Sequence, residues 1–328
     1  MKKILIIGFI GFVSYSFAQS DEATKNLQKE ADKLKAEKAD SINPWKKGGV
    51  VTIGGQQVSL TNWAAGGQSS ISANGLLSVF ATYKKGENTW SSNLDLAYGV
   101  VKQGDNKNWW KNDDRIQLTS KYGRKAFRKV YYSGLLDFRT QFAEGYNYPN
   151  DSVKISNFLA PGYALLALGL DYKPNDNVSV FLAPVTGRIT IVGDQKLADL
   201  GAFGVEKAVY AKDATTGATI VVKEGLKHRE EFGGYLKFQY KQTVMENVTF
   251  QTMLELFSNY LDRPQNIDVN WTTLTSMKVN KYISATFSTQ LIYDNDIDLE
   301  RNTGSKKGTF GPDIQFKQAL SVGLSYKF

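Results

Sequence analysis

Phe316-Lys-Gln-Ala-Leu-Ser-Val-Gly-Leu-Ser-Tyr-Lys-Phe328 alternates along its whole length. In a strand of period two, Leu320, Val322, Leu324, Tyr326 and Phe328 share one face, while Lys317, Ala319, Ser321, Gly323, Ser325 and Lys327 share the other. One face is greasy and the other is small and polar. A soluble sandwich shows the same alternation, so two further details decide between the folds. Aromatics end the apolar face, and the terminal residue is itself Phe. Membrane barrels turn apolar side chains to lipid and polar ones to the lumen, and they gather aromatics at the interfaces. The stretch predicts the closing strand of an antiparallel transmembrane β-barrel.

The amino-terminal text predicts export. Met1-Lys2-Lys3 is a short basic start, Ile4 to Val13 is apolar, and Ser16-Phe17-Ala18 is a small-x-small cleavage site. Residues 1–18 therefore read as a secretory signal peptide, and a mature chain is expected to start at Gln19. Cysteine is absent from the sequence, which removes disulfide, thiolate-metal and Cys-nucleophile chemistry together. Mean hydropathy is −0.33, and after the signal no long apolar run remains, so any spanning must be done by strands. About 310 mature residues are many for one soluble core but ordinary for one barrel. The formal charge of +8 is scattered rather than gathered on one element, and no nucleic-acid fold signature accompanies it, so no nucleic-acid partner is expected.

Residues 19–47 are rich in Lys, Ala and acidic residues up to Asp40, and read as a helical or disordered periplasmic arm. A spacer is the plainer reading of this arm; a contact with a periplasmic protein is the functional one. From residue 48 to 328 the text is strands: about 49–60, 69–84, 89–102, 114–124, 128–142, 162–173, 177–190, 230–242, 247–260, 267–279, 281–293 and 315–328. That is twelve, with fourteen as the alternative if residues 205–211 and 218–223 cross as well. Segments 1, 2 and 7 alternate poorly, and their registers stay open. Short turns such as Lys85-Gly-Glu-Asn88 and Pro174-Asn-Asp-Asn177 alternate with mostly longer links (103–113, 143–161, 191–229, 261–266, 294–314). Short periplasmic turns facing long external loops are the asymmetry of an outer-membrane barrel. Aromatics sort to both ends, with Tyr83, Trp90, Tyr122, Tyr131, Tyr172 and Tyr326 at one and Trp109, Trp110, Tyr163, Tyr235, Tyr260 and Tyr293 at the other.

The segment Asn62-Trp63-Ala-Ala-Gly66-Gly67-Gln-Ser69 carries a resemblance. It is similar to the opening of an uncharacterised domain family of Gram-negative outer-membrane β-barrel proteins, in which a signal peptide precedes an N-W-x-x-G-G-x-x-S-type segment and a run of strands. The resemblance implies location and architecture and brings no activity. Read as residues, Gly66-Gly67 permits a tight connection, with Asn62 and Ser69 bonding the turned backbone; a ligand or partner contact at Trp63 is the other reading. Terminal-Phe strands of this kind also resemble those recognised by the barrel assembly machinery, which makes that machinery an expected partner beside outer-membrane lipid and lipopolysaccharide.

Chemistry is sparse. His228 is the only histidine and lacks a Gly-x-Ser-x-Gly companion, so no catalytic residue, no cofactor and no enzyme are expected. Asp294, Asp296, Asp298 and Glu300 are oxygen-rich but lack the EF-hand Gly and Glu at their required positions, which leaves them weak metal candidates. The charges expected to face the lumen are Asp95, Arg115, Lys121, Asp137, Arg139, Lys237, Glu255 and Lys278. Their mixed signs favour a paired network over a one-sign filter. Three functions remain, in order: a narrow pore or small-solute transporter; a structural or complex-forming barrel acting through its arm or loops; an outer-membrane lipid hydrolase.

Overall fold

A computed structural model describes residues 43–59, 69–104, 108–213, 215–280, 283–297, 299–300 and 309–328. Twelve antiparallel strands close into one barrel: β1 (Trp45–Val58), β2 (Ser70–Lys85), β3 (Asn88–Gln103), β4 (Trp110–Phe127), β5 (Val130–Thr140), β6 (Gly162–Asn175), β7 (Val178–Ile191), β8 (His228–Met245), β9 (Val248–Asn259), β10 (Ile267–Lys278), β11 (Ile283–Tyr293) and β12 (Gln315–Lys327). Each strand pairs with its neighbours in sequence, and β12 closes on β1 with Tyr326 opposite Val51 and Leu324 opposite Ile53. Closure gives each strand a neighbour on both sides, with the β1–β12 seam joining Val50–Gly54 to Gly323–Lys327. The strands are 11–18 residues long, enough for a tilted crossing of nine to eleven.

The twelve sequence segments are these twelve strands, with ends shifted by no more than four residues. The largest shift moves the start of the barrel into the segment read as the arm, because Trp45 to Lys47 already pair with Tyr83 to Ala81. The signal peptide and the arm up to residue 42 lie outside the described residues. The link 191–229 carries no crossing strand. Among the described residues, Val209–Lys212 and Thr219–Lys223 pair with each other alone, as a hairpin at the long-link end. That end is the one expected to be external, with the short turns at the end expected to be periplasmic. Turns at the other end are short because residues that tolerate positive φ sit in them: Gly86 (φ 56) between β2 and β3, and Asn247 (φ 65) between β8 and β9.

Large apolar side chains dominate the outer face. On β6, Leu166, Leu168 and Leu170 point outward, with Leu168 52% exposed, and on β12 Val322, Leu324 and Tyr326 do the same. A monomer in water does not carry an apolar belt of this extent, whereas hydrocarbon requires one. The rim aromatics Trp45, Tyr83 and Trp90 pack at this surface, with ring centroids 5.1 and 6.2 Å apart.

Two kinds of core fill the inside. Val50, Leu76, Phe80 and Ala97 form one apolar cluster on β1–β3, and Leu135, Ala167, Phe181, Ala183, Tyr235 and Phe257 form another on β5–β9. Those inward apolar residues explain why the second segment failed to alternate. The first failed because glycines occupy both of its faces. The seventh failed for a different reason: at Pro184 two residues of β7 oppose one on each neighbour, Gly169 on β6 and Gly234 on β8. This bulge moves the inward parity from Phe181 and Ala183 to Thr186, Arg188 and Thr190. Proline fits at a bulge because the ladder asks for no N–H there.

Candidate functional site: the lumen and its two mouths

In the middle of the barrel, Arg139 on β5 donates to Asp137 (2.6 Å) and reaches Glu255 on β9 (3.5 Å). Three strands separate β5 from β9, so this guanidinium crosses the interior rather than bridging neighbours. Glu255 also accepts from Lys237 (3.1 Å), Tyr235 Oη (2.5 Å) and Asn270 (2.9 Å), and Gln290 continues the chain by donating to Asn270 (3.0 Å). Asp137 accepts from Thr119 (2.6 Å) and Gln117 (3.0 Å). Two carboxylates face one guanidinium and one ammonium, and every carboxylate oxygen has a donor. A buried ionic group is tolerated only on those terms.

Toward the periplasmic mouth, Asp171 on β6 is fully buried between Lys121 (2.5 Å) and Lys173 (3.2 Å) and accepts from Ser179 (2.7 Å). The Lys121 ammonium lies 4.6 Å over the Phe181 ring, which joins this tier to the central one. Asp95 on β3 is also fully buried and accepts from Ser78 (2.5 Å). Toward the external mouth, Arg188 grips Glu231 with two bonds (2.7 and 2.5 Å), bonds Asp268 (2.7 Å) and lies 4.2 Å over Phe257. Arg229 continues this tier by pairing with Glu231 and Asp296 at 3.2 Å each.

Of the sequence candidates, Asp137, Arg139, Lys237 and Glu255 meet in the central tier. Lys121 stands in the periplasmic tier, Asp95 pairs separately against β2, and Arg115 occupies the inward register of β4 next to Gln117. Lys278 is at the exposed periplasmic end of β10. The sequence reading missed Asp171, Arg188, Glu231 and Asp268. Asp171 was reachable, since Leu166, Leu168, Leu170 and Tyr172 alternate against it. Arg188 was not, because the Pro184 bulge resets its parity. Tyr131, Tyr163 and Tyr235, read as interface aromatics, instead take inward registers. Tyr131 lies under the Lys173 ammonium (5.3 Å), and Tyr235 is buried against Phe181 and Glu255.

Asn62, Trp63, Gly66 and Gly67 lie outside the described residues, and Ser69 accepts a backbone bond from Gly104 (2.7 Å). Asp298 is likewise outside them. Asp296 is held by Arg229, and Asp294 accepts from the Asp296 backbone N–H (2.9 Å). Among the described residues no three acidic or histidine groups converge to hold a metal. Burial pushes the Asp296 carboxyl above its ordinary range against the pull of Arg229. His228 opens β8 on the outward parity, opposite in face to Arg229 and Glu231.

The external loops have a small core of their own, made by Ala160, Val192, Leu197, Ala198 and Val205. Asp194 caps the short helix α1 (Gln195–Asp199) by accepting from the Lys196 and Leu197 N–H groups, and it binds Lys154 across the loop (2.5 Å). The Lys154 hydrogen bond, ahead of the cap, holds the Asp194 carboxyl below its usual range. The link between β7 and β8 is thereby tied to the link between β5 and β6.

Residues 55–146, under a third of the chain, match a family described as a protein of unknown function, DUF3078. The matched stretch includes Asn62 to Ser69. No curated protein matches the chain. Solved structures similar to it include the translocator domain of the autotransporter NalP from Neisseria meningitidis, at 12% identity over 92% of this chain and 94% of that one with a TM-score of 0.35. An outer-membrane channel from Pseudomonas putida F1 shares 11% identity over 88% and 97%, with a TM-score of 0.37. The Pseudomonas putida toluene transporter TodX shares 8% over 99% and 99%, with a TM-score of 0.30. At these scores the likenesses carry no argument, and the barrel architecture stands on the strand pairing itself.

Proposed function

We propose that the chain is a narrow pore or small-solute transporter seated in the outer membrane of a Gram-negative bacterium. The observation that carries this reading is the inner wall opposite the filled β5–β9 arc. There Thr52, Ser72, Asn74, Thr272, Ser276 and Ser288 present small polar groups inward, interleaved with the buried apolar side chains Val50, Leu76, Phe80 and Leu274. The Asn74 side-chain carbonyl has no hydrogen-bond partner among the described residues. A buried polar atom in that state is ordinarily satisfied by water or solute. A strip of hydroxyls and amides beside a charged constriction supports slow passage of something small. A twelve-stranded cylinder is narrower than the 16–18-stranded porins, which agrees with a restricted path. Purified full-length protein in planar bilayers tests the reading: small, steady current steps are expected, and silence from demonstrably folded protein overturns it.

A second reading has its own observation. Val209, Tyr210, Ile220, Val221 and Val222 on the external hairpin are all exposed, on both of its faces. An exposed apolar hairpin beyond the barrel supports a complex-forming role through external loops. Co-purification with and without residues 209–223 tests it, and an unchanged set of bound proteins defeats it. Lipid contact along the outer face, a lipopolysaccharide contact at the external rim, recognition of β12 by the assembly machinery and a partner for the amino-terminal arm belong to this proposal as well. The lipid-hydrolase outsider would rest on His228, which stands on the outward parity beside β7.

A further inference from the structure

At the periplasmic mouth a cavity of about 220 Å³ opens inside the barrel wall, and its lining includes Lys46, Lys84, Lys121, Lys173, Asp171 and Ser133. We propose that this cavity is a binding site for a small soluble anion bearing a phosphate or carboxylate group. The assignment deepens the pore reading and rests on it only for the solute's route.

The lining has four ammonium groups and one carboxylate, and that carboxylate is already shared between Lys121 and Lys173 and bonded by Ser179. Each ammonium carries three donors, so neither lysine is exhausted by a single carboxylate. Asp171 Oδ2 meets both ammonium heads, and its single negative charge leaves the lining with an excess of positive charge. Ser133 is an independent sign. Its side chain is only 7% exposed, it lines the same cavity, and its hydroxyl has no hydrogen-bond partner among the described residues. A buried hydroxyl with nothing to bond is uncommon, and beside several ammonium groups it serves as a donor to an anion. The Phe181 ring lies 4.6 Å under the Lys121 ammonium. The volume lies below the range of drug-sized pockets and suits phosphate or a short carboxylate.

Full-length protein refolded in zwitterionic detergent at low ionic strength is titrated with inorganic phosphate by calorimetry. Saturable binding is expected, weakened at least tenfold in Lys84→Gln/Lys173→Gln and several-fold in Ser133→Ala. The faster gel migration of unheated folded barrel checks each variant. Should Lys173→Gln fail to fold, Lys84→Gln/Ser133→Ala, which removes no ion pair described above, carries the test. Equal binding by wild type and variants overturns the site. So does binding of dihexanoylphosphatidylglycerol but not phosphate, which would make this a lipid-headgroup contact. In planar bilayers, phosphate on the periplasmic side is expected to reduce the current. Phosphate binding by a protein that never conducts leaves the site standing and removes the pore. Conduction without phosphate binding does the reverse.

Discussion

The Arg139 guanidinium stands between Asp137 and Glu255, and it is the one central cation contributed by the β5 side of the barrel. Replacing it with alanine leaves Asp137 without a cation within ion-pair distance, while Glu255 retains Lys237. Removing one partner of a buried pair costs about 3–5 kcal/mol, and the partial exposure of Arg139 puts Arg139→Ala near the lower end, roughly 3 kcal/mol. Urea unfolding from lipid vesicles should show that loss. If the network is the constriction, the same variant should pass larger single-channel currents, and unchanged current would mean that the barrier lies elsewhere. Asp194 makes a residue-scale prediction about acid. Its folded pKa lies below the unfolded value of about 3.9, so its contribution is complete above that value and is lost as pH falls through the folded pKa. Glu144, held down by Tyr146 and then Lys154, acts in the same sense. Pepsin nicking of the 192–227 link should therefore rise steeply with acidification in the wild type. Asp194→Asn/Glu144→Gln should flatten that dependence and leave the link looser at mild pH.

At the scale of the element, the bulge in β7 decides which charges enter the lumen. Gly169 faces it across the β6–β7 ladder, where an added Cβ would collide with the Leu182 carbonyl and the Ala183 backbone. Gly169→Ala should cost about 1–3 kcal/mol, as overpacking does, read as a lower urea midpoint. Gly187→Ala, at a site with nothing within reach of the new methyl group, should cost much less. Legibility divides along the same line. Strands β3 and β9 were readable because each keeps one parity from end to end, so Asp95 and Glu255 could be assigned inward from local alternation. Arg188 could not, because a two-against-one pairing at Pro184 is a relation among three strands. Leu76 and Phe80 blurred β2 because that arc packs apolar groups inside, which no single segment announces.

For the whole molecule, the outward belt and the inward polar face make opposite demands on one substitution. Leu168→Arg places a charge on the lipid side of β6 and should cost about 2–4 kcal/mol near the bilayer midplane. The same change at Tyr172, nearer the interface, should cost about 0–1 kcal/mol. Folding into phosphatidylcholine vesicles measures both, and equal small costs would contradict an outer face turned to hydrocarbon. The stacking of the charged tiers is also a whole-molecule property. Arg139 meets Glu255 across three intervening strands, and Arg188 on β7 meets Asp268 on β10 across two. These partners are 116 and 80 residues apart in the chain.

The sequence by itself determined the barrel class, the bounds of its twelve main strands and their order. Period-two alternation, turn residues and the contrast of short and long links are each local, and in an up-and-down barrel every strand pairs with its neighbour in the chain. Only the tertiary structure decided which of the lumen charges meet one another. The partners of a charge there are chosen by closure, shear and bulges, which bring distant strands face to face and leave no trace in the spacing of residues along any one of them.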